Sequence, residues 1–264
     1  MGIVTVYVAK GGAGKTTTAV HILGGMAIRG YHALGIDLNP QAHLCAGLGV
    51  ESGESAAAWA MGFGSAHLEE MAVEARPGVW VLPANEMLAQ AEVAMQMTRK
   101  PVTDLRQKIR QQWHGPLTVI DTSDHGYFSE MAIAAADVIV VPVPTRAKDV
   151  SAFLPTLETI KAVRGSVGLP PARIVVLPTM HDLRNSESAV QLATLKSLAA
   201  EHLSKTSGVA APVGVAVDID RAGRDGKLLW EYSPNHERVG ELRDGLIDSV
   251  VLALDWTAFV PARG

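Results

Sequence analysis

The residues best suited to chemistry stand near the start of the chain, in Lys10-Gly11-Gly12-Ala13-Gly14-Lys15-Thr16-Thr17. Glycines let a backbone turn its N–H groups inward onto phosphate oxygens, with no Cβ in the way. A helix opening near Lys15 adds unsatisfied N–H groups and the positive end of its dipole. Lys15 is then a cation for β- and γ-phosphates, and the Thr16 hydroxyl is an oxygen ligand for Mg²⁺. This stretch lies between an apolar run and a helical pattern, the setting a phosphate loop requires.

Two other readings of the same loop are weaker. A glycine-rich connector would need neither Lys15 nor Thr16. A dinucleotide fold would use Gly12 and Gly14, with Asp37 after the next strand as a ribose ligand. Its third glycine position holds Thr17, however, and Lys15-Thr16 has no task in that motif.

Two aspartates end apolar runs downstream: Asp37 in GIDLNPQ and Asp121 in TVIDTSDHG. A carboxylate at such a position orients an attacking water or holds a metal-bound one, which suits phosphoryl transfer driven by positioning. For Asp37 the plainer alternative is a cap at the strand-to-loop turn. Ser123, Asp124 and His125 bring hydrolase-triad residue types together, but three successive residues rarely converge on one proton path, so they read as loop.

The elements that must hold these residues alternate regularly. Ile3–Val8, His32–Ile36, Val79–Leu82, Leu117–Ile120, Val138–Val143 and Ile174–Leu177 read as strands, and 16–29 and 86–97 as helices. A last helix is expected over about 236–254, with Val239, Leu242, Leu246, Val250 and Leu254 on one stripe. Continuous Val/Ile runs separated by helices predict a doubly wound α/β fold, a mostly parallel sheet with helices on both faces. The chain has 264 residues, 48% of them hydrophobic and 19% charged, with no linker-like stretch, so one domain over 1–264 is expected. Gly49 to Arg76 is the least readable part.

Composition removes several classes. The single cysteine, Cys45, rules out an internal disulfide and any Cys-rich zinc or iron–sulfur site. His21, His43, His67, His181 and His202 lack metal-ligand spacing. The start has no signal-peptide pattern, and no apolar run is long enough to cross a bilayer, so a cytoplasmic protein is expected. The net charge of −4 confines any nucleic-acid contact to a local patch.

One detail narrows the phosphate loop. The ordinary pattern wants glycine where Ala9 stands, and an additional lysine, Lys10, is present. KGGAGKT resembles the deviant Walker A loop of the ParA/MinD family of P-loop ATPases. GIDLNPQAHLCAGLGV is similar to the family's D-x-D-P-Q-G-N switch segment, with Asn39 in place of the second aspartate. LPANEMLAQAEVAM, PTMHDLRNSESAV and GKLLWEYSP resemble further family segments, and together the matches run from Ile3 to about Ser249. Asp121 takes the Walker B position, where the family usually continues with prolines and this chain has Ser123 and Asp124.

The resemblance implies ATP and Mg²⁺ as cofactors, and a homodimer in which Lys10 reaches the partner's phosphates. It gives Lys15 and Thr16 the phosphate and metal roles, Asp37 the water, Asp121 the metal, and the 180s loop the neighbourhood of the adenine. It also implies a partition or positioning role on non-specific DNA, with a ParB-like or cargo-adaptor activator and nucleoid association in the ATP state. Asn39-Pro40-Gln41 favours ParA over MinD. Candidate DNA contacts are Arg184, Arg221, Arg224 and Lys227, with Asp218 and Asp220 nearby weakening the patch. The alternatives are a MinD-like membrane-associated ATPase and, less favoured, a metabolic ATP- or NAD-dependent enzyme. The tail's Trp256 and Phe259, with Arg263 as its one cation, argue against a membrane helix.

Overall fold

The computed structural model describes residues 1–62 and 67–255, so the tail residues Trp256, Phe259 and Arg263 lie outside the described residues. Among the described residues there are eight strands: β1 Gly2–Val6, β2 Ala33–Leu38, β3 Val73–Arg76, β4 Val79–Leu82, β5 Leu117–Thr122, β6 Val138–Pro144, β7 Arg173–Thr179 and β8 Gly208–Val209. They form one sheet in the order β3-β4-β2-β5-β1-β6-β7-β8. Every pairing is parallel except β3 with β4.

Helices fill the connections. α1 Lys15–Ile28 joins β1 to β2, and α2 His43–Gly47, α3 Ser55–Met61 and α4 Leu68–Met71 precede β3. α5 Met87–Met97 and α6 Asp104–Gln112 lead to β5, α7 Tyr127–Ala135 to β6, and α8 Ala147–Val150 with α9 Phe153–Ser166 to β7. α10 Ser186–His202, α11 Val217–Arg224 and α12 Leu229–Tyr232 follow, and a π-helical turn, Glu241–Leu246, runs into α13 Ile247–Leu254.

The two-residue period of the strands divides their apolar runs between the sheet faces. Val4, Val6, Val138 and Val140 pack with α1, α2 and α13 residues such as Ile22, Leu44 and Val250. On the other face Ile3, Ile36 and Ile120 pack under α3, α5 and α7, while Ile139, Val141 and Ile174 pack under α9 and α10. That is why VIVVPV is apolar throughout instead of alternating.

The structure adjusts several boundaries. β1 stops at Val6 rather than Val8, because the phosphate loop begins there. β2 and β5 continue through Asp37 and Asp121, which are therefore strand residues and not the loop residues that follow. The final helix begins at Glu241 rather than His236, because the chain after Pro234 makes successive turns, with His236 N–H donating to Ser233 (3.0 Å) and Val239 N–H to His236 (2.9 Å). β3 was unreadable because it is an edge strand with no buried residue.

From β1 the chain moves first to β2 on one side, and only later to β6 on the other. The crevice at the carboxyl ends of β1, β5 and β2 is thus the switch point where open α/β sheets bind ligands.

Candidate nucleotide site

The loop after β1 wraps into α1 through two left-handed glycines, Gly12 at φ 70° and Gly14 at φ 94°. A Cβ at either would meet nothing within 4 Å, so the loop is open beside these two residues, whereas at Gly11 it would meet Asp124 Oδ2 at 3.0 Å. Gly14 carbonyl accepts the Thr18 N–H at 2.9 Å, closing the first turn of α1. From the far side the Thr179 hydroxyl at the end of β7 donates to Ala13 carbonyl (3.1 Å), and Thr156 of α9 accepts the Ala9 N–H (3.3 Å). Gly11, Gly12, Gly14, Lys15, Thr16 and Thr17 line a cavity of ≈ 320 Å³ with Asn39, Gln41, His43 and Asp124.

Lys15 is 9% exposed. Its ammonium donates to Lys10 carbonyl at 3.1 Å and forms an ion pair with Asp124. A buried lysine needs such a counter-ion, and the loop after β5 supplies it. Lys10 turns the other way. Its ammonium pairs with Asp149 of α8 and donates to Lys148 carbonyl at 2.7 Å.

Asp37 and Asp121 face each other as register partners on β2 and β5, both fully buried. Asp37 Oδ2 accepts the N–H groups of Leu44 (3.0 Å) and Cys45 (3.2 Å), and Oδ1 accepts that of Asn39 (3.0 Å). Asp37 therefore caps α2 and the turn before it, the plainer of its two sequence readings. Asp121 Oδ2 accepts the Thr16 hydroxyl at 2.7 Å, while Oδ1 is buried with no hydrogen-bond partner. Burial raises both carboxyls above the usual carboxylate range; for Asp121 the neighbouring Asp37 charge adds to it, opposed by Thr16 and Lys15.

An unpartnered carboxylate oxygen beside a threonine hydroxyl, under an open glycine loop, fits a divalent cation carried in with phosphates. Mg²⁺ is commonly held by one or two protein oxygens plus substrate phosphates. Among the described residues no group of three or more His, Cys, Asp or Glu is placed to hold a metal alone.

The DNA candidates lie on the surface of the C-terminal third. Arg184, Arg221, Arg224 and Lys227 are all exposed. The 180s loop meets the segment before α11 through the His181–Gly214 bridge. Arg221 is paired with Asp218 at 3.2 Å, and Arg224 reaches Asp220 carbonyl at 3.5 Å. Sequence reasoning left Asp124 as loop and did not name Asp149, Thr156 or Thr179. The signal for Asp124 was visible as the acidic residue standing where the family has proline.

Over residues 1–167 the sequence matches the family described as AAA domain. The chromosome partitioning protein ParA of Caulobacter vibrioides is 32% identical over 186 residues, which cover 68% of this chain and 69% of that protein. The chain belongs to the ParA-type partition ATPases of the ParA/MinD family. Its activity is ATP hydrolysis in the service of partition or positioning, with Mg²⁺-ATP as the nucleotide. Solved structures carry the same fold. Apo McdA from Cyanothece superposes with a TM-score of 0.82 at 20% identity, covering 95% of this chain and 99% of that one. The septum site-determining protein MinD of Pyrococcus horikoshii, complexed with Mg-ADP, superposes at 0.71 and 17% identity, covering 99% of each.

Proposed function

We propose that this chain works as a DNA-tethered switch. Mg²⁺-ATP joins two copies, the dimer holds duplex DNA without sequence preference, and a ParB-like or cargo-adaptor partner stimulates hydrolysis and release. In this reading Lys15 and the N–H groups from Gly11 to Thr17 hold the phosphates. Thr16 and Asp121 hold the metal, Asp37 orders the attacking water once it leaves its capping role, and Lys10 completes the partner's site. Bound Mg²⁺ would supply charge neutralisation at the phosphates.

The observation that carries the reading is the division of labour between the two lysines. Lys15 points into its own glycine loop, while Lys10 is turned away from it and held by Asp149, so that on release it would be available to a second nucleotide. The exposed cations Arg184, Arg221, Arg224 and Lys227 are the candidate phosphate-backbone contacts, which give affinity and salt dependence but no sequence reading. Among the described residues no helix is long and apolar enough to cross a membrane. A cytoplasmic, nucleoid-associated location follows from the reading.

Binding to random-sequence duplex DNA, with ATP, with ADP and without nucleotide, at low and high salt, tests it. ATP-only, salt-sensitive binding that is lost in Lys10→Ala is the expected result. ATP-driven dimerisation without DNA binding would instead favour another track, such as a lipid surface. Turnover coupled to a small acceptor, without dimerisation, would favour a metabolic enzyme.

A further inference from the structure

The β5–α7 loop places an acidic side chain where a phosphate is expected. Asp124 forms its ion pair with the ammonium of Lys15, the phosphate-loop lysine. Its second oxygen, Oδ2, lies 3.0 Å from the position a Cβ would take at Gly11, so the carboxylate rests directly on the glycine loop. It lines the same cavity as Gly12, Gly14 and Thr16. The loop holding it is tied down. The Ser123 hydroxyl donates to His125 carbonyl at 2.8 Å, that of Ser129 donates to Ser123 carbonyl at 3.2 Å, and Gly126 turns through φ 111°. Glu92 of α5 then accepts the Phe128 N–H at 2.8 Å, in the first turn of α7.

We infer that Asp124 is an internal anion that occupies the phosphate cradle, so that nucleotide must displace it to reach Lys15. The inference rests on the reading of Lys15 as a phosphate ligand. A carboxylate and a phosphate cannot both sit against one ammonium in a partly buried site without strong repulsion, so binding carries the work of moving the loop. Asp124 thereby lowers nucleotide affinity and ties phosphate occupancy to the conformation of residues 123–126. The proline that the family pattern has here carries no such charge, so the device belongs to this sequence.

Titration of the nucleotide-free chain with Mg²⁺-ATP and Mg²⁺-ADP, followed by direct binding and by thermal melting, tests the inference on wild type, Asp124→Asn and Lys15→Ala. For Asp124→Asn the expected results are a nucleotide Kd lower by about five- to tenfold, the scale of one modest charge interaction, and a lower melting temperature without nucleotide. The melting-temperature gain on adding Mg²⁺-ATP should rise accordingly. Unchanged or weaker nucleotide binding in Asp124→Asn, with binding lost in Lys15→Ala, would overturn the inference while leaving the phosphate-loop reading intact. The same holds if hydrolysis alone is lost, because Asp124 would then act on the reaction and not on occupancy. Full binding by Lys15→Ala would sink the reading itself.

Discussion

Lys10 and Asp149 form an ion pair within one chain, with Lys148 carbonyl completing the clamp on the ammonium at 2.7 Å. Asp149 is buried while the Lys10 side chain keeps 29% of its surface, so the acid is the fixed member and the lysine the movable one. A lysine that is to serve a second subunit must first give up this pair. Asp149→Asn should therefore shift ATP-dependent dimerisation to lower protein concentration, by roughly fivefold for one partly exposed pair. Lys10→Ala should abolish it. Sedimentation velocity with a non-hydrolysable ATP analogue distinguishes the cases, and equal dimerisation by wild type and Asp149→Asn would show that the clamp has no cost to release.

Asp37 and Asp121, buried side by side, repel each other when both are ionised. Because burial raises these carboxyls, their cost to the fold is absent below the unfolded carboxylate pKa near 4 and grows as pH rises through the elevated values. Asp121→Asn removes one charge without changing shape. The variant should exceed wild type in nucleotide-free stability by about 1–3 kcal/mol at pH 8, with the gap closing toward pH 4.5. It should lose the enhancement of ATP binding by Mg²⁺, which in wild type strengthens with pH because metal and proton compete for the same oxygens. Urea titrations at two pH values, and nucleotide binding with and without Mg²⁺, give both readouts.

His21 joins the first turn of α1 to the C-terminal segment. Its Nδ1 donates to Thr17 carbonyl at 2.7 Å, and Nε2 accepts the Leu229 N–H at 3.1 Å. Protonating Nε2 would set two donors against each other, and burial already pushes the imidazole down to about 4. A depressed histidine stabilises the fold fully above the unfolded value near 6.5, and this contribution is lost as pH falls toward 4. Linkage puts the loss near 2 kcal/mol between pH 7.5 and pH 5. His21→Leu should be less stable than wild type by about 1–3 kcal/mol at pH 7.5, since it leaves the buried Leu229 N–H unpaired. Its own decline between those pH values should be smaller by about the linkage amount. Parallel declines in both proteins would refute the role of His21.

Much of this was legible in the sequence because apolar patterning and backbone conformation are local. The glycine loop needs left-handed residues, and Gly12 and Gly14 of KGGAGKT supply them. The Val/Ile runs needed only burial on both faces to be read as parallel strands. Asp121 was found because a strand delivers it to the crevice. What stayed hidden was contact between distant segments. Thr179 anchors Ala13 across 166 positions and Asp124 reaches Lys15 across 109, separations that no periodicity encodes. Asp37 shows the same limit, since its residue type suits both a cap and a water-orienting base, and only geometry reveals that here it caps α2.

The segment from Asp218 to Lys227 carries Asp218, Asp220 and Asp225 against Arg221, Arg224 and Lys227, so its charges cancel. Asp218 holds Arg221 at 3.2 Å, which diverts a candidate DNA contact toward its own helix. Such exposed pairs are weak, so the arginine stays available, but the acidic neighbours repel a phosphate backbone over the same short range. The double variant Asp218→Asn, Asp220→Asn should therefore bind random duplex DNA more tightly in the ATP state, by about three- to tenfold at low salt, with the advantage shrinking as salt rises. Arg221→Ala and Arg224→Ala should weaken binding evenly across sequences and flatten the salt dependence by about one unit of slope per contact removed. Fluorescence anisotropy with several unrelated duplexes measures both trends. If neither set of changes moves DNA affinity while ATP-dependent dimers still form, this surface does not face DNA.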